Sequence, residues 1–202
     1  MNSDRYQLKT SPSVEPLSLE EVKIQAKVDL DLDDEYLDGL ITMSRQYVEA
    51  FQNRALITQT WTAYFDSFPT DGFFELPLPP LQNVTSLKYL DTDGVQQTMS
   101  SALYRVDNAL EPGRIYLEYQ QSWPISRAVR NAIEIEFICG YGDTATTVPA
   151  GTKHAMMMLC AAWYDRRTAV VDQSSGNVTE LPRVISVEQL LAFERVIPLG
   201  RI

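Results

Sequence analysis

Histidine and cysteine are nearly missing from this chain: one His and two Cys in 202 residues. Cys139 and Cys160 are too few for a disulfide scaffold and lack the paired spacing of a zinc site, so a reducing, cytosolic origin is the expectation. His154 is six residues from Cys160, on a poorly aligned helix face, and has no serine or cysteine arrangement beside it. Catalysis through it is not expected, nor is any cofactor. Positive charge is also short, with 17 Lys+Arg against 27 Asp+Glu, a formal net charge of −10. That balance excludes a protein that grips nucleic acid by neutralising its phosphates. No run approaches the roughly 18 apolar residues of a membrane span, and MNSDRYQLKTSPSVEP has no apolar centre to serve as a signal peptide. Phosphate-binding loops, HExxH and GxSxG are absent.

The charge is uneven. Residues 1–56 hold 11 acids and 6 bases, 57–141 hold 10 and 5, and 142–202 hold 6 and 6. All of the excess acid therefore lies in the first two thirds. The densest run, Asp29, Asp31, Asp33, Asp34, Glu35 and Asp38, fails the test for a calcium loop. Counted from Asp29, the turn glycine is replaced by Asp34 and the bidentate glutamate by Leu40. No metal is expected there, and the acids suit the N-terminus of a helix.

Periodicity divides the chain into an extended N-terminal arm (1–16), a helical core (17–56 plus 143–202) and an inserted β module (57–142). Ser18 and Glu21 form a capping box, and Leu19, Val22, Ile24 and Ala26 carry a short helix to about Lys27. From Asp34, Tyr36, Leu37, Leu40, Ile41, Met43, Tyr47, Val48 and Phe51 make one apolar stripe, closed by Asn53. From Ile57 the period becomes two. Strands are predicted at 57–65, 73–76, 84–90, 96–99, 104–106, 115–118 and 133–139, with turns at Thr92-Asp93-Gly94 and Glu111-Pro112-Gly113. LPLPP at 76–80 is expected to demote its neighbours to edge or loop. Glu134 and Glu136 alternate with Ile133, Ile135 and Phe137, the pattern of a solvated outer face rather than a hydrolase pair. Helical character returns with Pro149. Residues 155–164 are apolar on all sides, as suits a core or a subunit contact. A last amphipathic helix is predicted over 184–196, followed by an apolar tail, IPLGRI. The class is α+β: two N-terminal and two C-terminal helices around an antiparallel module.

YVEAFQNRALITQTW at 47–61, PLPPLQNVTSLKYLDTDG at 77–94 and WYDRR at 163–167, set in this order of elements, resemble the head-to-tail connector (adaptor, head-completion) family of tailed phages and prophages. The resemblance covers about residues 11–195. It implies a non-enzymatic virion protein made in the host cytoplasm: a ring of about twelve subunits docked on the portal protein at the neck. Such a ring extends the DNA channel and gives the next neck, stopper or tail protein its platform, without sequence-specific DNA binding or membrane contact. It also implies portal contacts at Val187, Leu190, Leu191, Phe193, Val196, Ile197 and Leu199. Set beside the all-apolar helix, it suggests subunit contacts at Met157, Trp163 and Tyr164. The excess acid suits a channel wall that phosphates slide past, with Asp29, Asp31, Asp33 and Asp34 as the candidate lumen acids. A different reading stays open: a soluble β-domain binding module that recognises a carbohydrate or a tail protein, without ring formation, through Trp61 or Tyr116.

Overall fold

A computed structural model describes residues 5–166 and 185–197. The chain divides into two compact units, a β unit built from residues 1–13, 53–143 and 196–202, and a helical unit built from 14–52 and 144–195.

In the helical unit, α1 (Leu19–Ala26) starts on the predicted box. The Glu21 amide donates to Ser18 Oγ at 3.2 Å, and the Ser18 amide donates to Glu21 Oε2 at 2.8 Å. Lys27, with φ of 56°, turns the chain out of the helix in the left-handed conformation. After a single 3-10 turn at Asp31–Asp33, α2 (Asp34–Gln52) runs until Asn53 takes a φ of 54°. Then come α3 (Ala150–Asp165) and α4 (Ile185–Ala192). α3 packs on α1, α2 and α4, burying Ala155, Met156, Leu159 and Cys160 against the Leu37, Leu40, Ile41 and Val48 side of the unit. Among the described residues, four helices and antiparallel sheets make the class α+β, as the periodicity predicts.

Glu21 also receives Lys153 Nζ at 2.9 Å. The Ser18 amide first, and then Lys153, hold this carboxyl below the usual range. A folded-state value below the unfolded one means that its contribution is present above the ordinary carboxylate range and lost as pH falls through the folded value. Glu21→Gln is therefore expected to flatten the loss of helical-unit stability between about pH 5 and pH 3, read as urea midpoints across that range.

The β unit holds two sheets. The larger has the order β1-β2-β8-β4-β5, with β1 (Tyr6–Thr10), β2 (Gln59–Phe65), β4 (Leu81–Leu90), β5 (Gln96–Thr98) and β8 (Ile133–Cys139). The smaller has the order β3-β7-β6, from β3 (Phe73–Glu75), β6 (Tyr104–Asp107) and β7 (Arg114–Leu117). Every pairing is antiparallel. β8 is central: its buried residues Ile133, Ile135, Phe137 and Cys139 alternate with half-buried ones, and it pairs with β2 on one side and β4 on the other. Both sheets contribute to a single apolar core, which runs from Phe74 and Ile115 to Leu87 and Phe137. Phe68 stacks on Trp123 at 5.1 Å along its margin.

Two local features depart from the sequence reading. The N-terminal arm is extended as expected, but Tyr6–Thr10 is a sheet strand paired with β2. Its side chains are mostly exposed, so no apolar alternation announces it. LPLPP does not demote the strand on its C-terminal side, because β4 starts at Leu81, directly after Pro80, and lies inside the sheet. The prolines lack N–H groups but keep their acceptors: Pro79 O takes the Ala55 amide and Pro80 O the Gly140 amide.

Candidate assembly surfaces

The C-terminal helix is the first place where the structure redraws the expected contacts. Val187 and Leu191 are buried in the helical unit. The four-residue spacing that made them look like docking groups is the spacing with which α4 packs on its own unit. Gln52, itself fully buried, secures this end by donating Nε2 to Leu191 O at 3.1 Å. Satisfying a terminal helical carbonyl from a neighbouring helix pins α4 to α2. Leu190 is half-buried. Phe193, 88% exposed, remains on offer, while Arg195 lies 5.0 Å over the Phe51 ring. In the β unit, Val196 is half-buried, with its carbonyl held by Asn53 Nδ2 at 2.9 Å, and Ile197 is 77% exposed. Leu199 lies outside the described residues.

Met157, Trp163 and Tyr164 are half-buried on α3. Trp163 meets Tyr47 edge-on at 5.9 Å, and Tyr164 sits 6.2 Å from Tyr36. The exposed residues Tyr36, Met43 and Tyr47 lie along one side of α2, spaced by seven and four. These rings form an apolar strip with one side wet. The sequence stripe had counted all three α2 residues with the core. The helix turns a second apolar edge outward, and a broad stripe in the sequence is the only sign of it.

Three of the six acids in the run are tied down locally. Lys23 Nζ reaches Asp31 at 2.6 Å and Asp34 at 2.8 Å, which joins α1 to the start of α2. Its hydrogen bond to Asp31 is the main reason the ammonium is held above its usual range and that carboxyl below its own. Tyr164 donates its hydroxyl to Asp33 at 2.6 Å. Asp29 is exposed. Among the described residues, no group of three His, Cys, Asp or Glu is placed to hold a metal. His154 is exposed whereas Cys160 is buried, with its thiol pushed up by burial and directed at Leu40 O at 3.5 Å.

In the β unit an apolar cleft of about 170 Å³ lies among Tyr6, Tyr64, Phe65, Leu76, Pro77, Leu78, Pro79 and Pro112. Its one carboxylate, Glu75, receives Arg114 at 3.2 Å, and its cation, Arg5, is paired with Asp66. Neither aromatic of the carbohydrate reading lines it. Trp61 packs edge-on with Tyr6 at 5.4 Å and donates Nε1 to Gln59 Oε1 at 3.1 Å, while Tyr116 faces Phe73 at 5.4 Å. Glu136 on β8 binds Lys9 of β1, reaching across β2 within the sheet.

Three solved structures share the fold over nearly the whole chain. A chain in the virion of a native gene transfer agent particle aligns with TM-score 0.76 and 20% identity, covering 96% of this chain and 97% of that one. A chain in the neck of the empty particle, computed with C6 symmetry, gives 0.74 and 23%, over 96% and 97%. A chain in the neck of the native particle, computed with C12 symmetry, gives 0.65 and 23%, over 96% and 98%. No curated protein sequence matches the chain. Residues 16–102, from just before α1 to just past β5, match the model of the phage gp6-like head-tail connector protein family.

Proposed function

We propose that the protein is a structural component of a phage-type virion neck. Copies assemble into a ring that docks on a portal protein, prolongs the channel for DNA and carries the next neck, stopper or tail protein. The observation that carries this reading is the match of residues 16–102 to the connector family together with a fold shared with neck chains of particles computed with C6 and C12 symmetry. The role is one of assembly rather than catalysis. The strip of Tyr36, Met43 and Tyr47 beside Trp163 and Tyr164 supports a subunit contact on the helical unit, with Met157 on the same helix. For the portal contact, Phe193 and Ile197 are the exposed groups available, flanked by Leu190 and Val196. A net charge of −10 suits a conduit that DNA passes without adhering.

Mass photometry and negative-stain microscopy of the purified protein, alone and with its portal, test the reading. Cyclic rings, free or only on the portal, are expected. A strict monomer that never binds portal overturns it. Phe193→Ala is expected to leave the fold and the ring intact and to weaken portal attachment about tenfold, which corresponds to about 1.4 kcal/mol. Unchanged attachment removes Phe193 from that surface.

A further inference from the structure

In the β unit the chain is itself brought to the wall of the apolar cleft. Val196 lines that cleft, together with Tyr6, Phe65, Leu76, Leu78 and Pro112. Asn53, another lining residue, fixes the arrival by donating Nδ2 to Val196 O at 2.9 Å. Ile197, the next residue, is 77% exposed. The sequence then continues Pro198-Leu199-Gly200, three residues without charge that lie outside the described ones.

The lining sets what the cleft takes. Its two charged groups are already paired, Arg5 with Asp66 and Glu75 with Arg114, so neither selects an ion and the remaining wall selects an apolar group. An apolar cavity of about 150 Å³ takes a benzene-sized group, so one of about 170 Å³ has room for a leucine side chain. Walls of aromatic rings also suit an extended segment that contains proline. Leu199 follows Val196 by three residues, a reach of about 10 Å at most. A group on so short a tether is present at an effective concentration in the millimolar range, which any occupant from solution has to match. We propose that Pro198-Leu199 seats in the cleft of its own β unit in the free subunit, with Leu199 as the buried group, and that portal attachment draws it out. The cleft is then a latch on the attachment segment. This rests on the portal reading above, which gives Val196 and Ile197 to the same surface. A segment held in the cleft meets the portal only in the fraction of subunits where it is free, so the latch lowers the apparent portal affinity by that fraction.

The test uses the full chain, first dilute and without portal. Both native cysteines are buried, so an introduced pair can be read separately. Leu199→Cys with Leu78→Cys is expected to close a disulfide within one chain on mild oxidation, seen by mass spectrometry as a monomer without free introduced thiols. Tyr64→Cys in place of Leu78→Cys gives a second reading from the lining if the first variant folds poorly by circular dichroism. Leu199→Cys with Tyr119→Cys, an exposed position outside the lining, should close at least tenfold more slowly. The locked form should then bind portal at least tenfold more weakly than the same variant after reduction. No closure overturns the seat and leaves the portal reading standing. Closure between chains, as dimers, also overturns it, because the cleft then takes a neighbour's segment. Equal portal binding before and after reduction overturns the latch. An unaltered protein that never binds portal defeats the portal reading itself, and the latch with it.

Discussion

Gly140→Ala is expected to unfold the β unit. This glycine closes β8 with a φ of 122°, a conformation that L side chains rarely adopt. An added Cβ would lie 2.5 Å from the carbonyl carbon and oxygen of Ile57 and 2.7 Å from the amide nitrogen of Thr58. All three are backbone atoms leading into β2, so no side chain can rotate away. Relief requires moving β8 from its neighbour or the Gly140 amide from Pro80 O. Backbone strain of about 1–3 kcal/mol and overpacking of about 1–3 kcal/mol together give roughly 2–6 kcal/mol. Urea denaturation followed by near-ultraviolet dichroism measures it. The contrast is Gly72, which also has a positive φ, 89°, but open space around an added methyl. Gly72→Ala meets the backbone strain without the clash and should cost less, and equal costs would sink the overpacking argument.

Arg45→Ala is expected to destabilise the helical unit by about 3 kcal/mol. The guanidinium is nearly buried on α2; its Nε donates to Glu15 Oε2 at 2.7 Å and its Nη1 to Glu49 Oε2 at 3.0 Å. Two carboxylates, 30% and 15% exposed, thus share one cation, and they hold its pKa up against the burial that opposes them. Removing one member of a buried ion pair costs about 3–5 kcal/mol, because the partner is left charged and unpaired. The lower figure applies because Glu15 keeps some water and a hydrogen bond from Thr42 Oγ1 at 3.0 Å. The sharper test is Arg45→Met with Glu15→Gln and Glu49→Gln, which leaves no charge behind. Its urea midpoint should recover most of the loss. A triple variant no more stable than Arg45→Ala would show that the ion pairs themselves, rather than the stranded carboxylates, set the cost.

Features written in neighbouring residues were legible in the sequence. The Ser18 and Glu21 box, the end of α2 at Asn53 and the alternation of β8 each need only a few consecutive positions, and each stands where the pattern put it. What needed distant partners was not. Tyr6–Thr10 has little apolar character, and it becomes a strand because β2 lies beside it. Asp31 and Asp34 gave no sign of Lys23, since the pairing depends on where the Lys27 turn sends the chain. The apolar spacing of α4 shows the limit of such a pattern. Spacing by three and four marks a face that is buried somewhere, and it does not say against what. In α4 that face meets its own unit, so Val187 and Leu191 are core, whereas Phe193 beyond the helix is exposed.

The division of the chain also sets an order for its folding during synthesis. Residues 53–143 are continuous, whereas the helical unit needs 14–52 and 144–195 together. A ribosome therefore delivers α1 and α2 early and α3 about a hundred residues later. The sheets can close while Leu37, Leu40, Ile41 and Val48 still lack the helix that buries them. Until α3 emerges, α2 is a nascent amphipathic segment with an uncovered apolar side, the part of the growing polypeptide most exposed to chaperones and to premature self-association.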